Sequence, residues 1–208
     1  MRWKTVVIGL AVAHAVASVG TLSAQAQSGQ KTKRQWTEHV DYFIPPEGTL
    51  AESLKTADVV VRGRVLSSTG KGIPRSAETR MTDPQGREIP EAPRVFTELE
   101  IQVVEILKAS AHFDGKGPLR ILQRAGELDW NDVRIVVDAG DFRVLKPGID
   151  YILMARWNPE LVALTVRPDD VYSLADGVVH SPGRGKASRE QIGLDAGQFV
   201  SSLKKHLK

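Results

Sequence analysis

In the stretch ADVVVRGRVLSSTG, residues 57–70, Val59, Val61, Gly63 and Val65 share one phase of a period-two repeat. Val60, Arg62, Arg64 and Leu66 share the other. Successive side chains of an extended chain point to opposite faces, so the run predicts a strand with one face toward a core. The pattern recurs along most of the chain. RVFTELEIQVVEILKAS predicts a long strand with Thr97, Leu99, Ile101 and Val103 on one face and Glu98, Glu100 and Gln102 on the other. Its phase slips near Val103, after which Val104 and Ile106 take the apolar side. A one-residue slip in a continuous strand implies a bulge, and bulges supply the bends that small barrels need to close.

PLRILQRAG and VRIVVDAG predict further strands. KPGIDYILMARWNPELVALTV reads as two strands joined at Asn158-Pro159, and VYSLADGVVH as a hairpin turning at Asp176-Gly177. Before them, TLAESLKTA spaces Leu50, Leu54 and Ala57 for one short helix, with Thr49 and Glu52 placed as a capping box. Near the C-terminus, Phe199, Leu203 and Leu207 fall on one helical stripe, with basic residues in the last turn. The expected fold is mainly β: a five-stranded OB-type Greek-key barrel with a short N-terminal helix and a C-terminal helix, a β-sandwich being the alternative.

The N-terminus predicts export. A positive Met1-Arg2-Trp3-Lys4 precedes an apolar run that leads to Ala24-Gln25-Ala26, a small-x-small cleavage site with Gln27 as the first mature residue. The expected organisation is a signal peptide at 1–26, a flexible leader at 27–48 that docks Trp36, Tyr42 and Phe43 near its end, and the barrel at 49–180. A linker at 181–188 and the C-terminal helix at 189–208 complete it. No membrane span is expected after cleavage, and the expected location is periplasmic or extracellular.

Cleavage removes Arg2 and Lys4, lowering the formal charge from +3 to +1. Nucleic acid as a general partner thereby loses its electrostatic support. There is no cysteine, so packing alone must hold the chain, and thiolate zinc sites are ruled out.

The helix followed by ADVVVRGRV resembles the start of the netrin-like module, the OB-fold of the tissue inhibitors of metalloproteinases. TELEIQVVEILKAS is similar to that module's second strand, and PLRILQRAGE and LKPGIDYILMA resemble later ones. The same order resembles a set of exported bacterial proteins with an ADvVVrGrV, LKG and PGxxYlL organisation. The resemblance spans about residues 49–180 and implies the fold. In the inhibitors, an N-terminal cysteine presents its amine and carbonyl to the protease zinc. This chain has no cysteine, so that role is carried over to no residue here.

Five residues are candidates for binding. Arg62 and Arg64 lie on the polar phase of the first strand, where a cross-strand ladder to Glu98 and Glu100 competes with an acidic-ligand site. Glu127 and Asp129 flank Trp130 in an expected polar loop, where a solvated loop competes with calcium binding and Trp130 stands as a possible exposed contact. No metal site or cofactor is expected: H-E-x-x-H, G-x-S-x-G and P-loop patterns are absent. The chain is expected to be a non-enzymatic binding module whose loops, chiefly 67–93 and 125–131, meet a protein or cell-envelope component. A secreted protease inhibitor and an oligosaccharide- or oligonucleotide-binding domain are the alternatives, the outward Glu98, Glu100 and Gln102 weighing against the last.

Overall fold

The computed structural model describes residues 34–40, 48–75, 81–82, 86, 88–89, 92–113 and 115–207. In chain order, β1 (Arg34–His39) precedes α1 (Leu50–Thr56) and the long strand β2 (Val59–Ile73). A short pair, β3 (Met81–Thr82) and β4 (Glu88–Ile89), leads to β5 (Arg94–Lys108), then β6 (Leu119–Gln123), β7 (Gly126–Trp130) and β8 (Val133–Asp138). After these come β9 (Asp150–Asn158), β10 (Ala163–Val166), β11 (Val171–Ser173), α2 (Lys186–Gln191) and α3 (Ala196–His206).

Five of these strands close a ring, β2–β5–β6–β10–β9 and back to β2. Each contact is antiparallel except β6–β10, where Leu164 pairs with Ile121 in a parallel register. A ring that closes through one parallel pair has the strand order of the expected OB-type barrel. β11 extends the sheet beyond β9. Among the described residues no helix is long and apolar enough to cross a membrane.

The ring closes because its two longest strands are coiled. The β2–β5 register shifts at Val60/Val61, Arg62/Gly63 and Val65/Ser67, so Leu107 and Val104 bulge from β5 and Leu66 from β2. The expected slip is therefore present, with a different outcome for the side chains. Val103 packs on the core, whereas Val104 is 55% and Ile106 43% exposed. Each bulge re-aims the residues next to it, so a phase counted along one strand fails across three of them. Gly63 sits at the closest approach: a Cβ there would lie 2.4 Å from Ile101 Cγ2 and 3.0 Å from the Gln102 carbonyl oxygen.

The interior is filled by Val59, Val61, Val65, Leu99, Ile101 and Leu153 with their neighbours. A second core lies where Val60, Ile152 and Met154 meet Leu54, Phe199 and Leu203 of the helices. Three successive valines, Val59 to Val61, are fully buried because β2 is covered on both faces. The C-terminal stripe docks as expected, although the region forms two helices rather than a linker and one helix. The expected capping box is also formed: Glu52 N donates to Thr49 Oγ1 at 3.2 Å and Thr49 N to Glu52 Oε2 at 2.7 Å.

That bond from the Thr49 backbone lowers the Glu52 pKa. Its contribution to stability is therefore full above the ordinary carboxylate range and lost as the pH falls through the lowered folded value. Thr49→Ala is expected to cost about 1 kcal/mol, read as a fall of roughly 3 °C in thermal melts.

A smaller sheet, β1–β8–β7, packs beside the barrel over Ala92 and Val95. It corrects two expectations. The leader contains a strand, since β1 pairs parallel with β8 from Arg34↔Val133 to His39↔Asp138 and brings Trp36 onto the small core. Tyr42, Phe43, Ala26 and Gln27 lie outside the described residues. Within residues 125–131 lies a hairpin strand rather than a polar loop: Gly126 to Trp130 pair with Val137 to Val133, turning at Asn131 with φ 53°. Part of the 67–93 excursion is likewise strand, because β2 runs on to Ile73.

The segment after β11 is seated by buried polar groups. Asp169 Oδ1 accepts from Gly185 N at 3.1 Å and Ser188 Oγ at 2.7 Å. Asp170, wholly buried, takes Arg156 and Arg167 on Oδ2.

Candidate functional site

Arg62 and Arg64 do not ladder with Glu98 and Glu100. The bulges place Arg62 opposite Glu105 and Arg64 opposite Gln102 on β5, and both arginines turn to Asp150 of β9, at 3.2 and 2.7 Å. Glu98 instead pairs with Lys71, and Glu100 accepts from Ser67 Oγ at 3.3 Å. With one carboxylate between two guanidinium groups, this face is a structural clamp between β2 and β9.

Glu127 and Asp129 point outward from β7, and Arg134 across the hairpin forms an ion pair with Glu127. Among the described residues no cluster of side chains suits a metal ion. Trp130 lies on the opposite face of β7 and packs, half-buried, on the small core. The five candidates are thus spread over two surfaces, and Glu127 lines a cleft.

A groove of about 600 Å³ opens at the barrel rim, with Lys71 to Pro74 of the expected 67–93 contact segment along one wall and residues outside both expected loops forming the rest. Phe113, Leu119 and Leu164 of the barrel core form its floor. Lys71, Glu98 and Arg120 stand along it from β2, β5 and β6. On one side the exposed His112 ring stacks on Trp157, with centroids 4.2 Å apart and planes within 4°. Trp157 is held in turn by its backbone N–H, which donates to Asp58 Oδ2 at 2.7 Å.

The other side is the β9–β10 turn. Asn158 Oδ1 accepts from Glu160 N and Leu161 N at 3.0 and 3.2 Å, a side-chain turn of the kind asparagine favours. The turn ends with Val162 at φ 48°, a left-handed conformation in which a β-branched side chain is an outlier. Val162 is also 73% exposed. Among the described residues the other non-glycine positions with positive φ are Asn131 and Asp176, types that tolerate it through local hydrogen bonding. Val162 has no such compensation and incurs on the order of 1–2 kcal/mol of strain.

The signal for this site lay in three distant pieces. His112 and Trp157 are far apart in the chain with nothing in the sequence to join them, and nothing in PELV marks a left-handed valine. Compared with models of known protein families and with curated proteins, the chain matches none.

Proposed function

We propose that this chain is an exported, non-enzymatic binding module, built on a netrin-like OB barrel, that takes a protein or cell-envelope component at the rim groove. The observation that carries the reading is Val162, an apolar side chain held exposed in a strained conformation at the edge of an apolar-floored groove. Strain that packing does not require is kept where a surface must present a particular shape. OB barrels bind on the face of their second and third strands, between the loops after strands one and four. Here those strands are β5 and β6, and the groove lies between the far end of β2 and the β9–β10 turn.

The expected result for Val162→Gly separates stability from binding. Glycine adopts φ 48° freely, so relief of strain raises stability by about 1 kcal/mol, while removal of the side chain weakens binding. Purified wild type and variant are compared by thermal melt and by capture from an envelope extract, with bound material identified by mass spectrometry. A variant that melts higher and loses the wild-type partner supports the reading. One that retains the partner unchanged overturns it.

A second reading, oligosaccharide binding at the same groove, is favoured by one observation. The exposed His112 ring, backed by Trp157, offers a flat platform beside Glu98 and Arg120, which suit hydroxyl groups. Nucleic acid fits less well, because Glu98 and Glu100 line the face a phosphate backbone would cross. His112→Ala distinguishes the two readings: it abolishes a sugar partner and leaves a protein anchored on Val162 largely in place.

A further inference from the structure

A separate cleft of about 830 Å³ lies between the small sheet and the barrel, within the roughly 300–1,000 Å³ of small-ligand sites. It shares no lining residue with the rim groove. Two glycines allow its floor to form. A Cβ on Gly70 would lie 2.5 Å from the Glu127 carbonyl oxygen, and one on Gly126, at φ 104°, would lie 2.3 Å from Thr97 Oγ1. The backbone of β7 can therefore approach β2 and β5 closely, leaving the concavity above it.

The cleft's acidic groups each have a partner, and Asp138 also accepts from Gly140 N at 3.0 Å. Glu127 is paired with Arg134, and Asp138 stands 3.1 Å from His39 Nδ1. Asp141, next to the cleft, is paired with Arg184. Arg143 is exposed at the cleft and has no acidic partner among the described residues. Gln35 and Thr37 of β1 and Ser68 of β2 line it with neutral amide and hydroxyl groups, whose side chains have no hydrogen-bond partner among the described residues. One guanidinium without an acidic partner, amid groups that both donate and accept, fits a hydroxyl-rich molecule bearing a carboxylate. Nucleic acid would need several cations with exposed aromatic rings.

We propose that this cleft binds an acidic glycan, with Arg143 receiving a sugar carboxylate and Gln35, Thr37 and Ser68 its hydroxyls. The test is an amide NMR titration of the purified protein with trigalacturonate, using maltotriose and sodium sulfate as comparison probes. Saturable shifts at Thr37, Ser68, Gly126 and Val136 are expected with trigalacturonate, at concentrations where the other two probes give none.

Arg143→Gln should weaken binding about tenfold, as loss of a charge-assisted contact, with an unchanged melt because the side chain is exposed. Thr37→Val should weaken it by less. Absence of shifts at millimolar trigalacturonate overturns the proposal. So does an equal response to sulfate, or binding that Arg143→Gln leaves intact. Because Val162 and His112 lie outside this cleft, their variants leave the titration unchanged, and either site can fail without the other.

Discussion

Asp170→Ala is expected to lower stability by about 3 kcal/mol, seen as a fall in melting temperature on the order of 10 °C. Asp170 is wholly buried and receives both Arg156 and Arg167 on Oδ2. Arg156, itself largely buried, also donates to Thr56 Oγ1 at 2.9 Å, so the carboxylate ties β9 and the C-terminal end of α1 to the turn before β11. Its removal leaves a guanidinium in a poorly solvated place without its counter-charge, and that accounts for most of the loss. The pair itself adds less, because Asp170 Oδ1 is buried with no hydrogen-bond partner among the described residues. A double variant, Asp170→Ala with Arg156→Met, should therefore recover much of what the single variant loses. Urea melts of the four proteins of this cycle decide the matter: strictly additive losses would show that the charges are not coupled.

Gly63→Val is expected to destabilise by about 2–3 kcal/mol, against the ordinary preference of strands. A glycine inside a strand is usually a weakness, and valine is among the best strand formers. At this position the new Cβ would lie 2.4 Å from Ile101 Cγ2 and 3.0 Å from the Gln102 carbonyl oxygen, in the middle of the barrel. Strand preference is worth at most about 1 kcal/mol, so the steric term prevails. Ile101→Ala alone should cost roughly 2–5 kcal/mol by opening a cavity. Combined with Gly63→Val it should cost less than the sum, since each change occupies or vacates the same space. A more stable Gly63→Val protein would mean that β2 and β5 do not approach closely at this point.

The barrel was legible because its interior obeys a period of two, and Val59, Val61, Val65, Leu99 and Ile101 stand in the core where the alternation puts them. Val60 was misjudged by that same rule, although three consecutive valines carry the mark of a strand covered on both sides. β7 alternates too, with Leu128 and Trp130 against Glu127 and Asp129. Five residues with two acids read as a loop until Val133 to Val137 are seen to pair with them.

The clamp on Arg62 and Arg64 was out of reach for a different reason. Asp150 is 86 positions from Arg64, and three bulges set which residues of β5 the arginines could face instead. The rim groove was harder still. It joins β2, β5, β6, β9, β10 and their connections, and its most telling feature is a backbone angle at Val162 that no property of valine suggests.

The single parallel contact in the ring has a consequence for how the protein comes into being. β10 supplies it, and β10 is the last of the five barrel strands to be synthesised. Until Val166 has emerged, β6 has no neighbour on its outer side and β9 is paired with β2 alone of its three partners. Throughout that interval the nascent chain carries unsatisfied strand borders, the kind that join one molecule to another. For the barrel itself, that interval ends when a four-residue strand pairs on both of its sides.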